Sequence, residues 1–289
     1  MDKKDFPRPQ RILLLSIFFF LFLFSTCVSH LEEAKLSFTM AENYSRQYET
    51  EKAVAFYKKA LEKATLEAKK RPSPQAYLLK GMAELELKRW KDARESFLRA
   101  FSYGFEKGEE WAHETSLMGL AAVLEKFGME AAVLEVYTNI LDSSKLRQVS
   151  IYAAQRYMEI VLGKAVKSAE EEREKLLQQA LRITEKLIRK DMSCGFYHYL
   201  KSQVLGHLSD YRKSFEEAVM ARELGLPSEK ILRDNDLQVV FCYRMLKEQL
   251  SGKEWEEFSS MYAELMRRWG WPDPETPSWK EKREDASLD

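Results

Sequence analysis

The side chains able to do chemistry are few, and their spacing works against it. Four histidines occur, His30, His113, His198 and His207. A helical zinc site needs two of them four residues apart, and no pair is so spaced. His198 and His207 share one expected helix, nine residues apart, on the order of 13 Å at the helical rise. Three cysteines, Cys27, Cys194 and Cys242, show neither metal-ligand nor redox spacing. Cys194 and Cys242 suit buried free thiols, with a disulfide as the alternative in an oxidising compartment. No glycine-rich phosphate loop and no Gly-x-Ser-x-Gly elbow is present. Glu109-Glu110 and Glu170-Glu171-Glu172 read as acids at helix starts, where the helix dipole favours them. The residues imply no enzyme, no metal and no cofactor.

The elements that would carry a binding surface instead are helices. Of 289 residues 45% are hydrophobic and 32% charged, with only 11 glycines and 8 prolines, a composition poor in turns and sheets. Forty-six basic residues balance 46 acidic ones, so no excess draws the chain onto nucleic acid. Apolar residues recur at three and four, as in Leu117, Leu120, Ala121 and Leu124. Breaks fall at Arg71–Pro74, Ser102–Gly104, Asp142–Ser144, Asp191–Ser193 and Gly225–Ser228. Intervals of about 32 to 49 residues between them call for a test for repeats.

The segment Tyr77–Ala100 answers that test. Small residues stand at Gly81, Ala93 and Ala100, and aromatics at Tyr77, Trp90 and Phe97. Gly81 permits close helix approach, while Ala93 and Ala100 lie seven apart on one face of the second helix. This hairpin resembles the tetratricopeptide repeat, a 34-residue helix–turn–helix unit. It departs at Lys80, where leucine is usual, and at Glu84, where an aromatic is usual. A first hairpin fits with Met40, Ala41, Tyr44, Ala53, Tyr57 and Ala60, around an irregular turn at 47–51. A fifth fits with Ser202, Tyr211, Ser214, Ala218 and Ala221. Weaker copies lie between: Leu117, Leu120, Ala121, Leu124, Val133, Tyr137 and Ile140 form a third. Ala154, Tyr157, Ala180 and Leu187 form a stretched fourth, with a charged linker over 164–175.

The resemblance implies an all-α fold, a right-handed superhelical α-solenoid of stacked hairpins whose neighbours share one core. The array spans 34–227 with about five hairpins. Residues 228–269 are expected to form C-terminal capping helices, with an amphipathic stretch from Trp255 to Trp269. Residues 270–289, rich in proline and charge, are expected to form a flexible tail in which Trp271 folds back and Trp279 is loose, with contacts to a partner as the alternative for both.

In this repeat family the first helix of each pair lines the concave surface. Carried over, that gives Lys35 and Phe38, then Gln75, Leu78 and Met82, then Thr115 and Met118. Gln155 and Met158 follow, then Phe196, Tyr199, Gln203 and His207. The set is apolar and rich in methionine, which adapts to irregular partners, so it suits an apolar helix or extended peptide. It lacks the Lys, Arg and Asn pattern of the family's carboxylate-gripping members. The same residues equally suit packing on a neighbouring helix or the cap. The aromatics Phe196, Tyr197 and Tyr199 raise a second possibility, a small solute held for a transporter.

The N-terminus reads as an address. Lys3, Lys4, Arg8 and Arg11 precede the apolar run Ile12–Phe24, which ends in Ser25, Thr26 and Cys27. This resembles a bacterial lipoprotein signal, with Phe24 and Thr26 departing from its usual residues. It implies a signal peptide over 1–26, lipid attachment at Cys27 and a short tether over 27–33. Simple secretion, or an uncleaved anchor from Ile12 to Val28, are the alternatives. Each places the body outside the cytoplasm. The expectation is a non-enzymatic scaffold on the periplasmic face of a bacterial outer membrane, anchored by its N-terminal lipid and binding a protein or peptide partner of the envelope.

Overall fold

The computed structural model describes residues 29–271. The leader, Cys27 and the tail beyond Trp271, with Trp279, lie outside the described residues. Among these residues there are twelve α-helices and no strand. The chain divides into two compact units, Met1–Val149 and Ser150–Asp289.

The first unit holds three hairpins: α1 (His30–Arg46) with α2 (Thr50–Lys70), α3 (Pro74–Glu86) with α4 (Trp90–Tyr103), and α5 (Glu110–Lys126) with α6 (Glu130–Ser143). Helix α1 begins inside the stretch read as a tether, because the Ser29 hydroxyl caps it by accepting from Glu32 N. Ser73 caps α3 in the same way, with Pro74 preset for the first turn. Helix α3 packs against α1, α2, α4 and α5, the layering a stack requires.

The second unit begins within α7 (Arg147–Ala165), which pairs with α8 (Glu170–Lys190). Then come α9 (Gly195–His207) with α10 (Tyr211–Leu224), and α11 (Glu229–Gln249) with α12 (Gly252–Trp269). The charged linker expected over 164–175 is shorter: only 166–169 join the helices, and Glu170–Glu172 form the first turn of α8. Acids are stabilised at that end by the helix dipole, so helix wins over loop. Helices α11 and α12 bury Val239, Tyr243, Phe258 and Tyr262 against Phe215 of α10. The breaks at Asp191–Ser193 and Gly225–Ser228 fall between helices, and the other three overlap a helix end: Pro74 opens α3, Ser102 and Tyr103 close α4, and Asp142 and Ser143 close α6.

Four of the six hairpins turn through one conformation. At residues 44–49, 84–89, 124–129 and 205–210 the last N–H bonds back to the first carbonyl, with a shorter bond nested inside. This is the Schellman closure, and it needs one residue in the left-handed region. Tyr48, Lys88, Gly128 and Ser209 occupy that place, with φ of 61°, 59°, 66° and 61°. The first turn, irregular in sequence, is therefore regular in shape. The third hairpin, weak in signature, has the most favourable residue of the four, since only glycine takes this φ without a Cβ penalty.

The small residues of the signature do what their spacing predicts. Ala41, Ala93, Ala100, Ala218 and Ala221 are wholly buried, and Ala53, Tyr57, Ala60 and Tyr77 nearly so. Tyr44, Trp90 and Tyr211 are half-buried. A methyl placed at Gly81 would sit 2.9 Å from the Phe97 ring. Gly119, from α5, approaches the same ring: a methyl there would sit 2.2 Å from Phe97 Cζ. Phe97, fully buried, thus joins three helices through two glycines.

Candidate functional site

The two departures from the repeat pattern in the second hairpin compensate each other. Lys80 Nζ lies 3.1 Å from Glu84 Oε1, one turn along α3. Ser96 of α4 donates its hydroxyl to Glu84 Oε2 at 2.6 Å and accepts from Lys80 at 3.0 Å. Glu84 is almost completely buried, and a buried carboxylate demands such partners. Its role is structural.

The groove positions of the first unit line none of the cavities described there. Leu78 is fully buried in the core, so its placement on the groove is corrected: its face of α3 turns into the stack. Phe38 packs edge-on against Tyr57, with ring centroids 5.4 Å apart. Gln75 donates to Glu109 Oε1 at 2.6 Å, linking one hairpin to the next. Met82 and Met118 are half-buried.

The second unit brings its groove positions together. Gln155 and Met158 of α7 and Phe196, Tyr199 and Gln203 of α9 line one cavity of about 490 Å³. His207 does not take part; its carbonyl accepts from Arg173 of α8 at 3.2 Å. Met158, Phe196 and Tyr199 are buried and form the floor with Leu200. The rings of Phe196 and Tyr199 lie 5.8 Å apart at 35°. Gln203 donates to the Tyr199 hydroxyl at 2.7 Å, fixing that ring. Burial and then the Asp234 carboxylate push the Tyr199 phenol up to about 12, so it stays neutral.

One wall was not foreseen. Helix α11, read as a cap, supplies Ser228, Lys230, Ile231 and Asp234. The Ser228 hydroxyl accepts from Ile231 N, which starts the helix at the cavity mouth. Lys230 and Asp234 then fall one turn apart on the rim. Only the spacing of Ser228, Ile231 and Asp234 signalled this. Glu159, also in the lining, is held by Arg156 and accepts from Gln155 at 3.0 Å.

Elsewhere, His198 Nδ1 and Lys201 Nζ each lie 2.6 Å from the Glu217 carboxylate. Cys194 and Cys242 are buried and free. Burial pushes the Cys242 thiol up to about 11, and its sulfur lies 3.2 Å from Ser214 Oγ. Among the described residues no group of three His, Cys, Asp or Glu is placed to hold a metal ion. The cavity offers apolar contact, two aromatic faces and a charged rim, which is equipment for binding.

Stacked hairpins with small residues buried at the signature positions, and one recurring turn, define the architecture. It is a tetratricopeptide-repeat fold. Solved structures similar to this chain include the C-terminal part of a TPR repeat-containing protein from Cytophaga hutchinsonii, 18% identical at a TM-score of 0.49, covering 81% of this chain and 80% of that one. Another is pilF from Pseudomonas aeruginosa, 14% identical at 0.47, covering 80% and 99%. A third is YrrB, described as a TPR protein with an unusual peptide-binding site, 20% identical at 0.39, covering 69% and 90%. No protein-family model and no curated protein matches the chain.

Proposed function

We propose that this tetratricopeptide-repeat chain is a non-catalytic scaffold that binds a segment of a protein partner on the α7–α9–α11 face of its second unit. The observation that carries the reading is the convergence of Gln155, Met158, Phe196, Tyr199 and Gln203 on one cavity. A photo-crosslinking residue at Gln203 should give discrete adducts in cells, and one at an exposed position such as Lys186 should not. Equal adducts from both positions would sink the assignment.

The finer reading adds a place. The N-terminal leader supports lipid attachment at Cys27 and anchorage in a bacterial envelope, where the partner would belong to envelope assembly or a transport complex. Cells fed labelled palmitate should label the wild type and not Cys27→Ser. Equal labelling of the two would remove the lipid anchor from the proposal. The enclosed floor also favours a second reading, a solute carried for a transporter. Native mass spectrometry of protein purified from its host should then show a retained small molecule, and its absence at every ionisation condition would end that reading.

A further inference from the structure

We propose that the cavity of the second unit receives a lysine or arginine side chain of the bound segment, its stem against Phe196, Tyr199 and Met158 and its cation toward Asp234. The inference rests on the peptide-binding reading above and adds the chemistry of the anchor residue.

Long basic side chains suit this shape. Their aliphatic stems lie well on apolar surface while the charged head stays near water. The rings of Phe196 and Tyr199, 5.8 Å apart in the floor, give such a stem apolar contact. The rim decides between a cation and its rivals. Glu159 is already held by Arg156. Asp234 is exposed and, among the described residues, makes no ion pair. Lys230, one turn away, is the lone base in the lining. At the Tyr199 hydroxyl the neighbouring charges that act are Asp234 and Glu159, both carboxylates. Lys230, exposed on the rim, is not among them, and with Glu159 held by Arg156 the carboxylate left open to a cation is Asp234. An acidic anchor would meet those carboxylates unfavourably. A purely apolar anchor would fill the floor but strip water from Asp234 without replacing it.

The test uses the full chain in detergent and a phage-displayed library of random peptides. Selected peptides are titrated by fluorescence anisotropy, each beside a version with its basic residue changed to norleucine or citrulline. The expected result is enrichment of one Lys or Arg position whose neutralisation weakens binding about tenfold or more, as for loss of a charged hydrogen bond. Asp234→Asn should weaken the basic peptide by a similar factor and should not weaken the norleucine peptide. Asp234 is exposed, so this variant keeps its fold. Selected peptides that bind equally with norleucine would overturn the cationic anchor and leave peptide binding standing. A library that yields no binder would overturn both. Free arginine that displaces the peptide at equal concentration would overturn a peptide source in favour of a solute.

Discussion

The hairpins α3/α4 and α9/α10 have the same helix lengths, 13 and 14 residues, and correspond at a shift of 121 positions from Lys80 to Lys201. Both close with a left-handed residue, Lys88 and Ser209, and both end at a positive-φ glycine, Gly104 and Gly225. Their interiors differ. In the first, Lys80 meets an acid on its own helix, Glu84, with Ser96 bridging. In the second, Lys201 meets an acid across the hairpin, Glu217, at the position of Ser96, and His198 shares it. Packing differs as well: Phe97 fills the gap left by Gly81, whereas Ala218 stands opposite Ser202, whose carbonyl accepts from Ser214 at 2.7 Å. One backbone thus tolerates two polar solutions, provided the half-buried lysine keeps a carboxylate. The acid need not come from a fixed position.

That rule can be broken most sharply in the first hairpin. Glu84→Ala leaves Lys80 without its carboxylate and should cost about 3 kcal/mol in urea unfolding, in line with breaking a buried pair. A loss below about 1 kcal/mol would show that Lys80 simply swings to solvent. Moving the acid across, Glu84→Leu with Ser96→Glu, copies the second hairpin and should recover most of the loss. If the double variant is no better than Glu84→Ala, the two hairpins are not interchangeable.

The packing half of the comparison comes next. Phe97 is held by Gly81 and Gly119, so Gly119→Ala should cost about 2 kcal/mol, the scale of overpacking a filled core. Retained stability would mean that the ring can tilt away.

Glu217 tests the second hairpin. Burial raises its carboxyl, but hydrogen bonds from His198 and Lys201 outweigh this and hold it below its ordinary value of 4.5. A depressed carboxyl stabilises the fold at pH above its unfolded value, and that gain is lost as pH falls through the folded one. Glu217→Gln should therefore cost about 1.5 kcal/mol at pH 7, with the gap to wild type narrowing below pH 4.5. A gap constant down to pH 3 would assign the loss to shape alone.

The smallest effect concerns the shared turn. Lys88→Gly should stabilise the chain by about 1 kcal/mol, because glycine adopts the left-handed region freely. Thermal unfolding that shifts downward would show that the Lys88 side chain contributes more than its backbone costs.

Much of the fold was legible because it rests on side-chain size. Gly81, Ala93, Phe97 and Ala100 announce a close hairpin, Pro74 marks where a helix starts, and Gly104 and Gly225 mark where helices stop. The ion pair was not legible, since Lys80 and Glu84 each look like a defect until their one-turn spacing is read as a pair. The turns were hidden because Tyr48, Lys88 and Ser209 do not advertise a left-handed backbone. In the site, Phe196, Tyr199 and Met158 followed from the groove positions that the resemblance to the repeat family implies. Leu78 did not, because its face of α3 serves the stack, and α11 entered unannounced because a capping role explained its apolar run.

The end of α12 carries one more consequence. The Arg222 guanidinium lies 4.7 Å from the Trp269 ring centre and 4.8 Å from that of Trp271, and Trp269 donates its indole N–H to Glu223 at 2.8 Å. Two indoles 5.3 Å apart at 65° form a coupled chromophore. The docked helix end therefore carries its own optical label, and its release should be readable in near-ultraviolet circular dichroism without any dye, as an exciton signal that Trp271→Phe abolishes.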